Sequence, residues 1–259
     1  MGQKIQTLSG YINEYQLSVH QPEKFWERIA QSFYWQKPWD NVLSWDFKGP
    51  DIKWFENAKL NLTENIFERH LFTHGEKAAI IWEPNDPKEA HRIITYRELF
   101  EMTCQFSNAL EAQGVKKGDR VIIYMPMIPQ AVIAMLACTR IGAIHSVVFG
   151  GFAARELATR IIDCEPKIII SASAGVEPNR IVPYKPLLKE ALQIVAATAT
   201  HNHVEKCIIV DRPNINIVVV DDKDDEEEFV YDDYDEVMNK YTSQDEHSVA
   251  VDAIPLPST

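Results

Sequence analysis

Residues 142–185 read GAIHSVVFGGFAARELATRIIDCEPKIIISASAGVEPNRIVPYK. The β-branched run Ile144–Val148 has the composition of a buried strand. Phe149-Gly150-Gly151-Phe152 follows, then a helical pattern, then a second apolar run over Lys167–Ile170. A loop by composition, Gly175–Arg180, comes next. Strand, glycine turn, helix and strand make a βαβ unit, the building block of a parallel sheet.

The same alternation extends on both sides. Upstream, Ala78–Trp82 reads as a strand and Glu83–His91, with Pro84 and Pro87, as a polar turn region. Tyr96–Gln113 is an amphipathic helix: Thr95 is its N-cap, Glu98 completes a capping box, and Gly114 stops it. Lys117-Gly118-Asp119 turns the chain into a strand, Arg120–Tyr124, and Ile128–Ile141 is an apolar, buried helix. Downstream come helix Ala153–Cys164, strand Lys167–Ser171, helix Pro186–Ala197 and strands Lys206–Val210 and Ile215–Val220. Short strands alternating with longer helices predict an α/β fold: a doubly wound, mostly parallel sheet with helices on both faces and right-handed crossovers.

Residues 1–75 differ. They are irregular and rich in aromatics, including Phe33-Tyr34-Trp35, Trp39, Trp45, Phe47 and Trp54-Phe55. Helices are expected over Gln21–Ser32, with Pro22 in the first turn, and over Leu62–Phe72, where Leu62, Ile66, Phe67 and Leu71 share a face. Such a segment is not expected to make its own sheet, so it should wrap another domain and bury its tryptophans there. The expected division is a 1–75 N-terminal segment, a 76–220 α/β subdomain, and a 221–259 acidic excursion and linker.

Charge is concentrated in that last part. Asp221–Glu236 holds eleven acids and one lysine, so most of the net charge of −12 is local. The nearly neutral remainder has no basic footprint, which argues against nucleic acid as a partner. The tract lacks the glycine and spacing of an EF-hand and reads as a solvated, mobile excursion, followed by a short helix at Tyr234–Tyr241.

A chain of 259 residues suffices for one large or two ordinary domains. No apolar run approaches the roughly 20 residues that span a bilayer, so no membrane partner is expected. The first residues lack the apolar core of a signal peptide, and Gln6 breaks the myristoylation pattern. The sequon Asn61-Leu62-Thr63 reads as chance. Cys104, Cys138, Cys164 and Cys207 are widely spaced and read as reduced core thiols. A cytoplasmic protein is expected, with the mitochondrial matrix as the alternative. His201 and His203 lack further ligands, so they read as a solvated loop and no metal site is expected. There is no GxSxG elbow.

Ligands of open α/β sheets bind beyond the carboxyl ends of the strands. Phe149-Gly150-Gly151-Phe152 lies there, and its glycines allow a close approach to backbone. Arg180, on the loop after the next strand and near Lys185, has the donor fork that suits a phosphate. Spacing alone favours an ordinary surface arginine. The chain holds neither GxGxxG nor GxxxxGK[ST].

A set of motifs in fixed order adds weight. These are WFENAKLNLTENIFERHL from Trp54; Glu83-Pro84-Asn85-Asp86; Ile94-Thr95-Tyr96-Arg97-Glu98-Leu99; Gly118-Asp119-Arg120-Val121; Tyr124-Met125-Pro126-Met127-Ile128-Pro129; and Gly142–Phe152. With them the chain closely resembles the AMP-forming short-chain acyl-CoA synthetases, which activate acetate or propionate using ATP-Mg and CoA. The resemblance covers nearly the whole chain and implies the N-terminal part of an adenylate-forming enzyme's large domain. It implies CoA contacts at Glu177, Pro178, Asn179 and Arg180, with Arg180 at the nucleotide end, and further contacts at Phe149 and Gly150. The acetate branch often carries a second arginine where this chain has Glu177, which points to the propionate branch.

The resemblance also implies what these residues lack. The Thr/Ser/Gly-rich phosphate loop, the acyl pocket, the ATP-ribose residues and the catalytic lysine are expected beyond Thr259. The 259 residues therefore contain no catalytic or ATP-binding residue by this reading, and alone they should be inactive. The alternative is a non-catalytic CoA-binding or regulatory module, with a full-length subunit as a possible partner. An unrelated flavodoxin-like domain is the third reading.

Overall fold

The computed structural model describes residues 5–178, 180–198, 204–213, 215, 231–241 and 254–255. The chain divides into two compact units: residues 1–70 with 251–259, and residues 71–250.

The first unit opens with α1 (Leu8–His20), whose first turn is capped by the Thr7 hydroxyl accepting from the Gly10 N–H at 3.0 Å. Pro22 sits at the first position of α2 (Pro22–Ala30), where a missing N–H leaves no helix bond unmade. The Arg28–Glu14 ion pair joins the two helices. β1 (Asn41–Asp46) and β2 (Asp51–Glu56) then form an antiparallel hairpin. This corrects the expectation that the segment makes no sheet. The cross-strand pairs Leu43↔Trp54 and Trp45↔Ile52 supply the apolar contacts that hold such a ribbon together. The aromatics also pack among themselves: Trp35 lies 5.1 Å from Trp39 and 5.2 Å from Phe55, ring centre to ring centre. Trp45 and Phe47 remain exposed, contrary to the expected burial.

β3 (Lys59–Leu60) pairs antiparallel with Ile254–Pro255. The side chain of Asn61 caps α3 (Leu62–Ile66), accepting from the Thr63 N–H at 2.9 Å. Asn61 is 5% exposed, so the sequon lies inside a helix cap. The single helix expected over Leu62–Phe72 is broken. α3 ends at Ile66, a turn follows, and α4 (Leu71–His74) starts afresh. Phe67 is buried, Ile66 and Leu71 are half-buried and Leu62 is exposed, so the four do not form the one buried face expected of them. Arg69 fixes the turn by donating to Asn65 Oδ1 at 3.0 Å and to the Ser32 carbonyl.

In the second unit β4 (Ala78–Trp82) and β5 (Arg92–Thr95) make an antiparallel pair outside the parallel sheet. The β5 run was too short to register in the sequence. α5 (Tyr96–Ala112) has the expected capping box: Glu98 N–H donates to Thr95 Oγ1 at 3.2 Å, and Thr95 N–H to Glu98 Oε2 at 2.7 Å. Then come β6 (Arg120–Tyr124), α6 (Pro129–Ile141), β7 (Ile144–Val148), α7 (Ala154–Cys164) and β8 (Ile168–Ala172). β9 (Gly175–Glu177), β10 (Arg180–Val182), α8 (Tyr184–Thr198), β11 (Lys206–Val210), β12 (Tyr231–Asp233) and α9 (Tyr234–Lys240) complete the unit.

The sheet runs β12-β11-β8-β6-β7, and every pairing is parallel. Its central strands are apolar on both faces, as a covered parallel sheet requires. Ile122, Tyr124, Ile169, Cys207 and Ile209 pack with Leu157 and Ala158 of α7 and Leu188 and Leu192 of α8. Val121, Ile123, Ile168, Ile170 and Ile208 alternate to the other face, where α5 and α6 pack together. The α/β reading holds, with one correction. β7, expected to be buried, is an edge strand among the described residues, and Ile144 and Val147 are exposed on it.

The acidic tract is also not wholly an excursion. Residues 221–230 lie outside the described residues, as do His201, His203 and most of the strand expected at Ile215–Val220. Tyr231–Asp233, however, extends the sheet beside β11, Asp233 caps α9, and Tyr234 is buried. Tyr234 is buried and Tyr231 partly so against the core, which ties this end of the tract to the sheet. The cysteines are free thiols, Cys138 and Cys207 fully buried. Among the described residues no helix is long and apolar enough to cross a membrane, and no three His, Cys, Asp or Glu residues cluster as metal ligands.

Candidate functional site

The carboxyl ends of β6, β7 and β8 open into a crevice of about 290 Å3. Met125–Ile128 after β6 and Val147–Gly151 at the end of β7 line it, with Val176, Glu177 and Tyr184 and with Trp82, Asn85 and Arg212. A neighbouring hollow of about 360 Å3 shares Trp82, Glu89, Ile128 and Arg212 with it.

Tyr184, at the start of α8, organises the crevice. Its ring lies 5.0 Å from that of Tyr124, and only 4% of the residue is exposed. Burial, and then the nearby Glu177 carboxylate, push its hydroxyl up to about 12. Gly150 and Gly175 press against this ring. A Cβ at Gly150 would stand 1.9 Å from Tyr184 Oη, and one at Gly175 would stand 2.8 Å from Tyr184 Cε2 and 3.0 Å from Pro126 Cβ. The glycines therefore serve close approach of backbone to side chain. Tyr124 Oη donates to the Phe152 carbonyl at 2.7 Å, and Ser171 Oγ donates to the Tyr124 carbonyl at 2.6 Å. The first bond ties the 149–152 turn to the sheet, and the second joins β8 to β6. Phe149 leaves 70% of its surface in solvent at the crevice mouth, with its ring 5.8 Å from that of Phe152.

The loop expected at Gly175–Arg180 is a β-hairpin. β9 and β10 pair antiparallel with register Glu177↔Arg180, Val176↔Ile181 and Gly175↔Val182. Pro178 and Asn179 form its connection, and Asn179 lies outside the described residues. Three-residue strands are too short to show alternation in a sequence, which is why the segment reads as a loop. Arg180 Nε donates to Glu177 Oε2 at 2.7 Å, and this bond holds the guanidinium even more firmly charged than usual. Lys185, expected to reinforce Arg180, instead places its ammonium 5.0 Å from the centre of the Tyr231 ring.

Of the site residues read from the sequence, Phe149, Gly150 and Glu177 line one crevice. Arg180 adjoins it through Glu177, and Pro178 occupies the turn. The sequence reading gave no site role to four further lining residues, Trp82, Asn85, Glu89 and Arg212. Trp82 Nε1 donates to the Met127 carbonyl at 2.9 Å, and Asn85 Nδ2 to the Val176 carbonyl at 2.7 Å. Arg212 Nη2 donates to Glu89 Oε2 at 2.7 Å, and its guanidinium carbon lies 5.9 Å from the Trp82 ring centre. For Asn85 and Glu89 the sequence signals are the motif Glu83-Pro84-Asn85-Asp86 and the polar turn Glu83–His91, long for a hairpin connection. The crevice joins an apolar floor to polar groups: Arg212, paired with Glu89, and the carboxylates of Glu83 and Glu177, the latter holding Arg180 at its edge.

Residues 67–251 match the family model described as AMP-binding enzyme, and residues 11–66 the model described as acetyl-coenzyme A synthetase N-terminus. An acetyl-coenzyme A synthetase of Magnetococcus marinus is 46% identical over 215 residues, covering 83% of this chain and 32% of the relative. Acetyl-coenzyme A synthetase 1 of Pseudomonas aeruginosa is 48% identical over 209 residues, covering 80% and 31%. The solved acetoacetyl-CoA synthetase from Streptomyces lividans has the same fold over 97% of this chain and 35% of its own, with a TM-score of 0.78 at 21% identity. The chain thus spans about a third of the length of the curated relatives it matches.

Proposed function

Since the chain belongs to the AMP-binding enzyme family and carries an acetyl-CoA synthetase type of N-terminus, we propose that it forms the N-terminal part of an AMP-forming acyl-CoA synthetase. The complete enzyme joins a short-chain carboxylate to CoA through an acyl-adenylate made from ATP-Mg. In it the β9–β10 hairpin and the Phe149-Gly150 turn form one side of the CoA path, with Arg180 taking a phosphate and Pro178 and Asn179 shaping the tip. One observation carries this reading: a hairpin at the sheet's carboxyl edge presents an exposed guanidinium beside a glycine-floored apolar crevice. The acetyl-coenzyme A synthetase relatives support acetate as the acid; Glu177, in place of a second cation, supports propionate. The intracellular setting proposed is the cytoplasm or the mitochondrial matrix, where ATP and CoA are at hand. Residues 1–75, 76–220 and 221–259 are proposed as N-terminal segment, first α/β subdomain, and acidic connection.

Adenylation needs cations around the pyrophosphate end of ATP as the carboxylate attacks the α-phosphate. The 259 residues spell no Thr/Ser/Gly-rich loop ending in Pro-Lys-Gly. The polypeptide of residues 1–259 should therefore show no ATP–pyrophosphate exchange, while a protein carrying the family's remaining two-thirds should form acyl-CoA from propionate or acetate. Exchange by residues 1–259 alone would sink the first statement. Failure of the longer protein with both acids would sink the second.

A second reading, a CoA-binding or regulatory module that pairs with a full-length subunit, is favoured by one fact. Every residue of the crevice belongs to a single compact unit. Saturable CoA binding by residues 1–259, lost in Arg180→Ala, supports the module; no binding at millimolar CoA removes it.

A further inference from the structure

The hairpin that bears Glu177 and Arg180 is poorly supported by its own sheet. β9 and β10 pair with each other, and among the described residues they form a two-stranded sheet apart from the parallel one. An isolated pair this short is marginal in water, so its geometry depends on outside anchors. At its base, Lys185 N–H donates to the Ser173 carbonyl at 3.3 Å, and Gly175 packs on Tyr184 and Pro126. Toward its tip there is a different anchor, Asn85.

Asn85 lies in the connection between β4 and β5, far from the hairpin in sequence. Its Nδ2 donates to the Val176 carbonyl at 2.7 Å. The register makes this the informative carbonyl. A two-residue connection sets Glu177↔Arg180 as the hydrogen-bonded pair, so the next pair, Val176↔Ile181, turns its backbone groups outward. Asn85 occupies the outward carbonyl immediately before Glu177. The connection that carries Asn85 is itself tied down on both sides, by Trp82 to the Met127 carbonyl and by Glu89 to Arg212. The chain from 82 to 89 is therefore a strap across the carboxyl edge, fastened at three points, whose middle point holds the hairpin.

We infer that Asn85 is a positioning residue that sets the pose of Arg180 toward its anionic ligand. The inference rests on the reading of Arg180 as a CoA contact, and it gives the Glu83-Pro84-Asn85-Asp86 motif a task. A fixed hairpin presents the guanidinium fork in one orientation; a hairpin freed at Val176 must be ordered when the ligand binds, at a cost in affinity.

The test is calorimetric titration of CoA into residues 1–259, comparing the parent with Asn85→Ala, Asn85→Asp, Arg180→Ala and the Asn85→Ala/Arg180→Ala pair. Asn85→Asp keeps the shape and removes the donor. One lost hydrogen bond corresponds to binding weaker by about two- to tenfold in both Asn85 variants. With Arg180 gone, the Asn85 change should add nothing, a coupling that general loosening of the fold does not produce. Unchanged urea midpoints in the Asn85 variants accompany this result. If Arg180→Ala loses affinity while both Asn85 variants bind like the parent, the inference falls and the CoA reading stands. If the two losses simply add, Asn85 is merely structural and the inference falls. If Arg180→Ala binds like a saturating parent, the CoA reading of Arg180 falls and the inference with it; if the parent does not saturate, the module reading and the inference for this chain both fall.

Discussion

Arg180 and Glu177 are cross-strand partners at the tip of a hairpin, and the arginine donates to the glutamate at 2.7 Å. The guanidinium offered to a phosphate is thus already held by a carboxylate of the same turn. An incoming anion must share or displace that bond, and it meets a negative charge as it does so. Glu177→Gln keeps a hydrogen-bond acceptor and removes the repulsion. CoA should bind about two- to fivefold more tightly to this variant at low salt, with the gain shrinking at higher ionic strength. Weaker binding in the same titration would mean that Glu177 itself touches the ligand.

Gly150→Ala tests the close approach to Tyr184. The new methyl would stand 1.9 Å from the tyrosine oxygen and 2.9 Å from Cζ. Tyr184 is buried against Tyr124 and has no free path aside. Overpacking of this kind costs about 1–3 kcal/mol in urea unfolding. Adding Tyr184→Phe removes the nearest atom and should recover part of the loss. A single variant as stable as the parent would show that the turn yields easily.

The parallel sheet was legible because each strand carries its own signal. Arg120–Tyr124, Ile144–Val148 and Lys206–Val210 end where the sequence places them, since apolar runs bounded by glycine, proline and charge leave little choice. The Thr95–Glu98 capping box was legible for the same local reason. What was hidden depends on partners distant in sequence. The β1–β2 hairpin lives on cross-strand pairs such as Leu43↔Trp54. Exposure of β7 follows from its place in the sheet order, and burial of Tyr234 from the neighbours it packs on, including Phe106. In the site, residues from one βαβ unit were found, whereas Asn85, Glu89 and Arg212 reach it from outside that unit.

Arg212 should prove a structural keystone of the crevice. Its guanidinium pairs with Glu89 at 2.7 Å, lies over Trp82, and leaves only 12% of its side-chain surface in solvent. Its backbone N–H is also taken, by Ser173 Oγ at 2.8 Å. Arg212→Ala strands a partly buried carboxylate and should cost about 2–3 kcal/mol. Arg212→Lys restores charge without the planar fork and should recover only part of it. Urea denaturation measures both; an alanine variant within about 0.5 kcal/mol of the parent would show that the pair behaves as a surface one.

Two of the cysteines should resist alkylation in the folded protein. Burial pushes the thiols of Cys138 and Cys207 up to about 12, so neither forms thiolate in the folded protein near neutral pH. Iodoacetamide at pH 8, read by mass spectrometry, should leave both unmodified until denaturant is added. Labelling of either at the rate of a free thiol would contradict the buried packing.

His145 on β7 predicts a pH dependence whose sign is fixed. Burial lowers its pKa below the usual 6.5 of a free imidazole, so the folded chain favours the neutral ring. Between the folded and unfolded values the unfolded state binds the extra proton. The contribution is then fully present above about pH 6.5 and is lost as pH falls through that value toward the folded pKa. Asp235 and Glu111 have raised pKa values that act in the opposite sense on acidification, and Glu98, whose pKa is lowered, weakens the fold only at lower pH. A variant comparison cancels all three. Urea midpoints of the parent and His145→Gln, measured from pH 7.5 to 5, should diverge on acidification, with the parent falling further. Parallel curves would mean that His145 titrates in the folded protein as it does in the unfolded chain.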